Sequence, residues 1–215
     1  MDAQHAGTGY LSLPDGNDGP GVLVLHAWWG LTDHVREVCD RLADEGFVAL
    51  APDLFDGRLA TTIADAEQGL AEMDADALAH RTRSGLHTLR TLEHTTSDRV
   101  GVVGFSMGGS MALWLAARVP EGVAATAVYY GDQEIDMADA TSAFLGHFAE
   151  EDAYVDDDTL ALLEAELHLD ELDVTFHRYP GTRHWFAEPD RPEHDPAAAD
   201  LAWQRTLEFL RGNLG

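Results

Sequence analysis

Five consecutive residues near the middle of the chain, Gly104-Phe105-Ser106-Met107-Gly108, match the pattern G-x-S-x-G. In this pattern the serine occupies a strained turn between a strand and a helix, so its neighbours must be small. The apolar residues 100–103 precede it, and a stretch rich in small residues follows. We therefore predict that Ser106 is a nucleophile at the start of a helix whose N-terminus stabilises developing negative charge.

Glycine-rich turns between a strand and a helix also occur in nucleotide-binding folds, and this is the alternative interpretation of the segment. Its spacing matches neither G-x-G-x-x-G nor the P-loop pattern. The chain also contains no lysine, which a P-loop needs to contact phosphate. These mismatches favour the nucleophile.

A serine hydroxyl needs a general base within hydrogen-bond reach, and the chain has 11 histidines. We predict that His184 is the base, because it follows the last predicted strand and the turn Pro180-Gly181 and precedes the closing helix. His26 ends the first buried strand and is expected to line the site without acting as the base. Several others lie on amphipathic stretches and are predicted to be surface residues: His34, His80, His87, His94 and His168.

The acid that orients the base is expected after the strand predicted over residues 143–148. Where a nucleophilic serine occupies a strand-to-helix turn of this kind, the acid lies between the serine and the histidine in sequence. Glu150, Glu151 and Asp152 are the candidates, and we choose Asp152 with Glu151 as the alternative. Its carboxylate would hold the histidine tautomer and stabilise the imidazolium.

Short apolar runs alternate with longer amphipathic stretches, which is typical of βαβ units and predicts an α/β domain with a mostly parallel sheet over residues 1–215. Strands are predicted over residues 9–13, 21–26, 47–51, 99–104, 123–130, 143–148 and 174–179. Helices are predicted over residues 32–45, once or twice within 61–95, and over 106–119, 157–169 and 196–210.

The chain carries 39 acidic and 13 basic residues, and all the basic ones are arginine, for a net charge of −26. This charge repels nucleic acid and anionic membranes, so neither is expected as a partner. No apolar run approaches the roughly 20 residues that span a bilayer, and residues 1–9 lack the features of a secretory leader. A cytoplasmic protein is therefore expected, and its one cysteine, Cys39, allows no intrachain disulfide.

The lysine-free, acidic composition is similar to that of proteins from organisms that keep molar salt in the cytosol. We hypothesise a halophilic protein, because a Debye length of about 3 Å at molar salt screens the repulsion among the carboxylates. The alternative is an ordinary acidic enzyme with a codon bias against lysine. A melting temperature that does not rise with salt would exclude the first interpretation.

Five segments, spread from near the N-terminus to the closing helix, together resemble the dienelactone hydrolase family of α/β hydrolases. They are Val22-Leu23-Val24-Leu25-His26-Ala27-Trp28-Trp29-Gly30-Leu31, Ala51-Pro52-Asp53-Leu54-Phe55, Val103-Gly104-Phe105-Ser106-Met107-Gly108-Gly109, Tyr129-Tyr130-Gly131 and Tyr179-Pro180-Gly181-Thr182-Arg183-His184-Trp185-Phe186.

The resemblance implies an α/β-hydrolase fold, with the family's base at His184 and its acid at Asp152, in a pattern like G-x-x-x-x-x-D-x-x-V. It also implies an oxyanion hole made by the backbone N–H groups of Trp28 and Met107. Two departures stand out. Family members usually carry cysteine where this chain has Ser106, and glutamate where it has Ala27. Both changes leave His184 as the sole base, as in a Ser-His-Asp esterase.

A third departure concerns the substrate, because the family's dienelactones carry a carboxylate that two arginines hold. One arginine falls near Arg58, but the other position is Glu188 in this chain. Glu188 either points into the pocket, where it would repel an anion, or is a solvated surface acid. Aromatic residues suggest a pocket for a small apolar acyl or lactone group, although some of them must be core: Trp28, Trp29, Tyr129, Tyr130, Trp185 and Phe186.

The sequence thus predicts a serine hydrolase that cleaves small carboxylic esters or lactones through an acyl-enzyme on Ser106, with Arg58, Trp29, Trp185 and Phe186 as substrate-binding residues. The alternatives are a true dienelactone hydrolase (carboxymethylenebutenolidase) of aromatic catabolism and a non-catalytic binding domain. No metal or cofactor is expected; His26 with Asp53 is the nearest approach to a ligand pair. The expected partner is a small ester or lactone.

Overall fold

Strands and helices alternate along residues 9–214, the part of the chain that the computed structural model describes. The strands are β1 (Gly9–Ser12), β2 (Gly21–Leu25), β3 (Val48–Pro52), β4 (Val100–Phe105), β5 (Val123–Tyr129), β6 (Ala143–Glu151) and β7 (Val174–Arg183). The helices are α1 (Asp33–Asp44), α2 (Ile63–Ala71), α3 (Ala75–Thr91), α4 (Met107–Arg118), α5 (Asp157–Leu169) and α6 (Pro196–Leu214). The expectation about a secretory leader falls almost wholly on residues 1–8, which lie outside the described part.

All seven strands join one sheet in the order β1-β3-β2-β4-β5-β6-β7. β1 runs antiparallel to β3, and every other pair is parallel. The predicted α/β class with a mostly parallel sheet is therefore confirmed. Because the carboxyl ends of parallel strands meet at one edge of the sheet, the residues that follow β4, β6 and β7 lie on the same side of the molecule.

Helices cover both faces of the sheet. Gly85 of α3 packs against Leu23 of β2, while Gly101 of β4 packs against Leu210 of α6. Leu23 is paired with Val102, the residue after Gly101, and successive residues of a strand point to opposite faces. α3 and α6 therefore lie on opposite faces, and the buried core fills the two layers between them and the sheet.

The last two strands are longer than the sequence predicts. β6 extends to Glu151 and β7 to Arg183, and these two residues pair after a register shift next to Ala149. Pro180 and Gly181, predicted to form a turn, lie inside β7, so that prediction was wrong. Proline is tolerated there because β7 is the outermost strand, and an edge strand has a side on which no N–H is needed.

His34, predicted to be a surface residue, is buried near the start of α1. Its ring meets Phe105 edge-on with 5.7 Å between the centroids, and burial lowers its pKa to about 4. Amphipathic spacing assigned it to the wrong side because the first turn of α1 packs against the residue before Ser106, a neighbour that the local pattern does not reveal. The prediction for His80, His87 and His168 agrees with their exposed positions.

No helix within residues 9–214 is long and apolar enough to cross a membrane.

Candidate active site

Ser106 lies in the tight turn between β4 and α4 and has a φ of 51°, in the left-handed region that non-glycine residues rarely adopt. A Cβ on Gly104 would lie 2.2 Å from the carbonyl oxygen of Gly108, and a Cβ on Gly108 would lie 2.1 Å from that of Leu25. The turn therefore requires both glycines. Such strain costs about 1–3 kcal/mol, and the packed surroundings must hold it in place.

Replacement of Gly108 by alanine is expected to lower the free energy of unfolding by roughly 3 kcal/mol, because the added methyl group meets backbone atoms that cannot move aside. Urea denaturation measures the loss. The matched control is Gly212→Ala in α6, where a Cβ meets nothing within 4 Å. That control should leave stability unchanged or raise it by up to about 1 kcal/mol. Equal stabilities of the two variants would contradict the packing that we describe.

The structure brings Ser106, His184 and Asp152 together in one chain of hydrogen bonds. The Ser106 Oγ lies 2.8 Å from His184 Nε2, and His184 Nδ1 lies 2.8 Å from both carboxylate oxygens of Asp152. The side chains of His184 and Asp152 are only 4% and 5% exposed. Because Nδ1–H faces a carboxylate, Nε2 is the nitrogen left to accept the Ser106 proton.

Sheet pairing holds the acid and the base at this spacing. The residues immediately before them, Glu151 and Arg183, are paired across β6 and β7. Asp152 also accepts the backbone N–H groups of Tyr154 (2.9 Å) and Val155 (3.1 Å), which fixes its carboxylate. The alternative acid, Glu151, is 62% exposed and forms an ion pair with Arg183, so it does not face His184.

The backbone N–H groups of Trp28 and Met107 are the oxyanion donors that the resemblance implies. None of the hydrogen bonds found among residues 9–214 uses either group. The tight packing of Gly108 on the carbonyl oxygens of Leu25 and His26 puts the start of α4 directly against the end of β2. The segments that carry the two amides therefore lie next to each other, beside Ser106.

Three indole rings cluster beside His184. The centroid of Trp185 lies 5.9 Å from that of Trp28 and 5.1 Å from that of Trp29, and 4.9 Å from the His184 ring. Tyr154, which the sequence reasoning missed, lies 4.8 Å from His184 and 5.5 Å from Trp28. Its position two residues after the predicted acid was the signal that could have identified it.

Phe186, predicted to bind substrate, is instead fully buried between Tyr130 and Tyr179, at 5.4 Å and 4.9 Å between centroids. Phe186 therefore packs in the core behind Tyr130 and does not line the site. Tyr129 is likewise part of the core, where its hydroxyl bonds to that of Thr206.

The guanidinium of Arg58 is directed toward α2 and its C-terminal end. It forms an ion pair with Glu72 at 2.8 Å and donates to the carbonyl oxygen of Asp65. None of its polar contacts among the described residues involves Ser106 or His184. These contacts hold the guanidinium against the C-terminal end of α2, and the role of Arg58 as a substrate-binding residue stays a prediction.

Glu188 is 3% exposed, so the interpretation as a solvated surface acid was wrong. It accepts a hydrogen bond from the Tyr130 hydroxyl at 3.0 Å, and the Tyr130 ring lies 4.9 Å from that of His184. Burial raises the pKa of Glu188 to about 8, and burial together with Glu188 raises the pKa of Tyr130 well above its usual value. Glu188 is therefore mostly protonated near neutral pH.

Glu188→Gln is expected to remove a pH dependence of stability. The folded protein holds the Glu188 proton up to about pH 8, whereas an unfolded chain releases it near 4.5. The contribution of Glu188 to the free energy of unfolding is thus fully present below pH 4.5. It is lost as the pH rises through 8, by about 1.4 kcal/mol per pH unit in between. Glutamine keeps the oxygen that Tyr130 contacts. Relative to the parent, the free energy of unfolding of the variant should therefore rise by roughly 4 kcal/mol as the pH increases from about 5 to 8.

Urea denaturation across this pH range checks the result, with the exposed Glu166→Gln as control. Parallel pH profiles for Glu188→Gln and the parent would show that Glu188 is not the buried proton-binding group that the structure describes.

His26 and Asp53 brace the loop after β3. His26 Nε2 accepts the N–H of Leu54 at 3.0 Å, and Nδ1 lies 2.7 Å from the carbonyl oxygen of Ala27. The Asp53 carboxylate accepts the N–H groups of Phe55 and Gly57. Burial lowers the pKa of His26. Within residues 9–214, no group of three or more His, Cys, Asp or Glu side chains is arranged to hold a metal.

Comparison with known proteins places this geometry in a family. The model of the dienelactone hydrolase family matches residues 8–214. The protein usf of Aquifex pyrophilus is 32% identical over 94% of this chain and 92% of its own length. Carboxymethylenebutenolidase 1 of Cupriavidus pinatubonensis is 30% identical over 94% and 89%.

Solved structures agree with this placement and with the α/β-hydrolase fold. A dienelactone hydrolase-like promiscuous phosphotriesterase from metagenomic libraries superimposes with a TM-score of 0.86 at 26% identity, over 96% of this chain and 92% of that one. The family model and the relatives each cover nearly the whole chain. The chain therefore belongs to the dienelactone hydrolase family.

Proposed function

We propose that this hydrolase is a serine esterase or lactonase that cleaves small carboxylic esters through an acyl-enzyme on Ser106. The observation that carries the proposal is the hydrogen-bond chain from Ser106 through His184 to Asp152, with 2.8 Å at each step. A serine hydroxyl is a poor nucleophile by itself, and this chain supplies both the base and the group that orients it.

The reaction follows from the positions of these atoms. His184 Nε2 takes the Ser106 proton as Oγ attacks the ester carbonyl, and the resulting oxyanion accepts from the N–H groups of Trp28 and Met107. His184 then protonates the leaving alkoxide. Water, deprotonated by the same nitrogen, attacks the acyl-enzyme, and His184 returns the proton to Ser106 as the acid departs. Loss of one oxyanion donor typically costs about 3 kcal/mol of barrier. Each step uses side chains and amides of the chain, so the cycle requires no metal or cofactor.

The charges around the serine favour a neutral acyl group over an anionic one. Burial, and further the carboxylates of Asp156 and Asp152, raise the pKa of Asp132. Burial likewise raises the pKa of Tyr154, and the nearby acids Glu67 and Glu193 add to the shift. Several carboxylates thus lie near the site. Arg191 lies over the Trp29 ring at 4.1 Å, but its charge is paired with Asp190, so an anionic substrate would be repelled.

The second candidate function is hydrolysis of dienelactones, which carry a carboxylate. The name of the Cupriavidus pinatubonensis relative, carboxymethylenebutenolidase 1, favours it. The third interpretation, a binding domain without activity, is disfavoured by the aligned serine, histidine and aspartate.

A matched pair of substrates tests the proposal. We expect kcat/KM for p-nitrophenyl butyrate to exceed that for the anionic p-nitrophenyl hemisuccinate roughly tenfold, and the ratio to shrink as salt screens the carboxylates. A cis-dienelactone measured in parallel separates the first two candidates, since turnover of the lactone alone would favour the second. A fluorophosphonate probe should label Ser106, and an unlabelled, folded protein would leave only the binding domain.

A further inference from the structure

Three arginines meet around a cavity of about 390 Å³ on the side of the molecule formed by α3 and the end of α4. Arg83, His87 and Arg90 come from α3 at the spacing i, i+4 and i+7, which places them on one face of the helix. Arg118, in the last turn of α4, completes the set. The cavity thus gathers three of the 13 arginines of a chain whose net charge is −26.

Two of the three guanidinium groups have defined contacts, and the one carboxylate that shares the cavity, Glu121, forms no ion pair with any of them in the described part of the chain. Arg83 lies over the ring of Trp114 at 5.1 Å, and Arg90 donates through Nε to the carbonyl oxygen of Asp98 at 3.0 Å. Among the described residues no ion pair joins Arg83, Arg90 or Arg118 to a carboxylate, whereas seven other arginines form one. Guanidinium groups that line one cavity carry like charges and repel each other, so an anion between them would be stabilising.

The cavity is distinct from the proposed active site. α4 begins directly after Ser106 and has 12 residues, which makes it about 18 Å long. Arg118 is at its far end, so a molecule in the cavity would not meet the serine or the three indole rings.

We propose that this cavity binds a small organic molecule that carries a multiply charged oxyanion, either a diphosphate or a tricarboxylate group. Guanidinium groups match the geometry of phosphate and carboxylate oxygens and donate paired hydrogen bonds to them. The volume falls in the range of small-molecule sites, and Leu86 and Val119 add apolar surface for the organic part. A long polyanion would be repelled by the acidic remainder of the surface, whereas a compact one would not extend over it.

Isothermal titration calorimetry of the full chain with pyrophosphate, and separately with citrate, tests the proposal at an ionic strength held constant with chloride. The test variant is the triple replacement Arg83→Gln, Arg90→Gln and Arg118→Gln. The matched control replaces three arginines outside the cavity, Arg36→Gln, Arg178→Gln and Arg211→Gln, and so lowers the net charge by the same amount.

We expect binding of one equivalent of at least one probe, and the probe that binds more tightly identifies the group as phosphate or carboxylate. An exposed ion pair typically contributes a factor of about 2–5, so the triple variant should bind roughly 10- to 100-fold more weakly. The control should change affinity less than about threefold, and ester turnover by the triple variant should be unchanged, which shows that it is folded.

If the control variant binds the probe as weakly as the triple variant does, binding depends on net charge and the proposal is overturned. The absence of binding of either probe at about 10 mM would likewise overturn it. A triple variant that differs from the parent in sedimentation would also overturn it, because the cavity would then be covered by an acidic surface of a second copy.

Discussion

Replacement of Ser106 by alanine is expected to lower kcat for p-nitrophenyl butyrate by about 10⁶-fold, the scale found when a member of a Ser-His-Asp set is removed. Without Oγ no acyl-enzyme forms, and His184 has no hydroxyl to deprotonate. The residual rate, from bound substrate and the two oxyanion donors, should exceed hydrolysis in water by about 10³–10⁴-fold. Stopped-flow measurement of nitrophenolate release detects both the loss and the missing burst.

Ser110→Ala is the matched control, because Ser110 lies one helical turn further along α4. It should retain turnover within a few-fold of the parent. Circular dichroism of Ser106→Ala should be unchanged, since the turn is fixed by the neighbouring glycines and by the bond from Ser106 N–H to Tyr129. More than about one per cent of parental activity in a contaminant-free sample would contradict the role of Ser106.

The second large effect concerns the acid. Asp152→Asn is expected to lower kcat by about 10⁴-fold, because an amide nitrogen facing Nδ1 favours the tautomer whose Nε2 carries the proton. That nitrogen then cannot accept the proton of Ser106. The asparagine oxygen can still accept the N–H groups of Tyr154 and Val155, so the loop should keep its shape. Steady-state kinetics and the rate of fluorophosphonate labelling should fall together.

Glu151→Gln is the control for this replacement, because Glu151 is the adjacent acid and is exposed to solvent. It should change kcat less than about twofold. A similar loss for both variants, or a large drop in melting temperature for Asp152→Asn alone, would indicate a structural role for the carboxylate instead of an orienting one.

The sequence predicts the turn at Ser106 well because its constraints are local. Gly104 and Gly108 are required by contacts within a few residues of the serine or with the adjacent strand β2. The order of strands and helices is equally readable, since it depends on hydrophobic spacing within each element. Asp152 was chosen over Glu151 from its place after a predicted strand, and the family pattern strengthened that choice. The pairing of β6 with β7 supplies the physical reason.

What the sequence could not predict depends on distant neighbours. Glu188 is buried because Tyr130, 58 residues earlier, donates to it, and no local pattern contains that contact. Arg58 is directed toward Glu72 because α2 passes beside it. The true end of β7 was missed because Pro180 and Gly181 are poor strand formers, while the N–H of Gly181 is fixed by the Glu150 carboxylate on the next strand. The hypothesis of adaptation to high salt stays a prediction.

β7 has a consequence for how activity would be lost. The strand is paired only with β6, at the outer edge of the sheet, and His184 follows its last residue directly. Ser106, by contrast, follows β4 in the middle of the sheet. Local opening of one edge strand therefore separates the base from the serine while the rest of the core stays intact. The fraction of catalytically active molecules is then set by the opening of this strand and not by global unfolding. Under mild denaturing conditions turnover should therefore fall while the amides of β4 are still protected from hydrogen exchange.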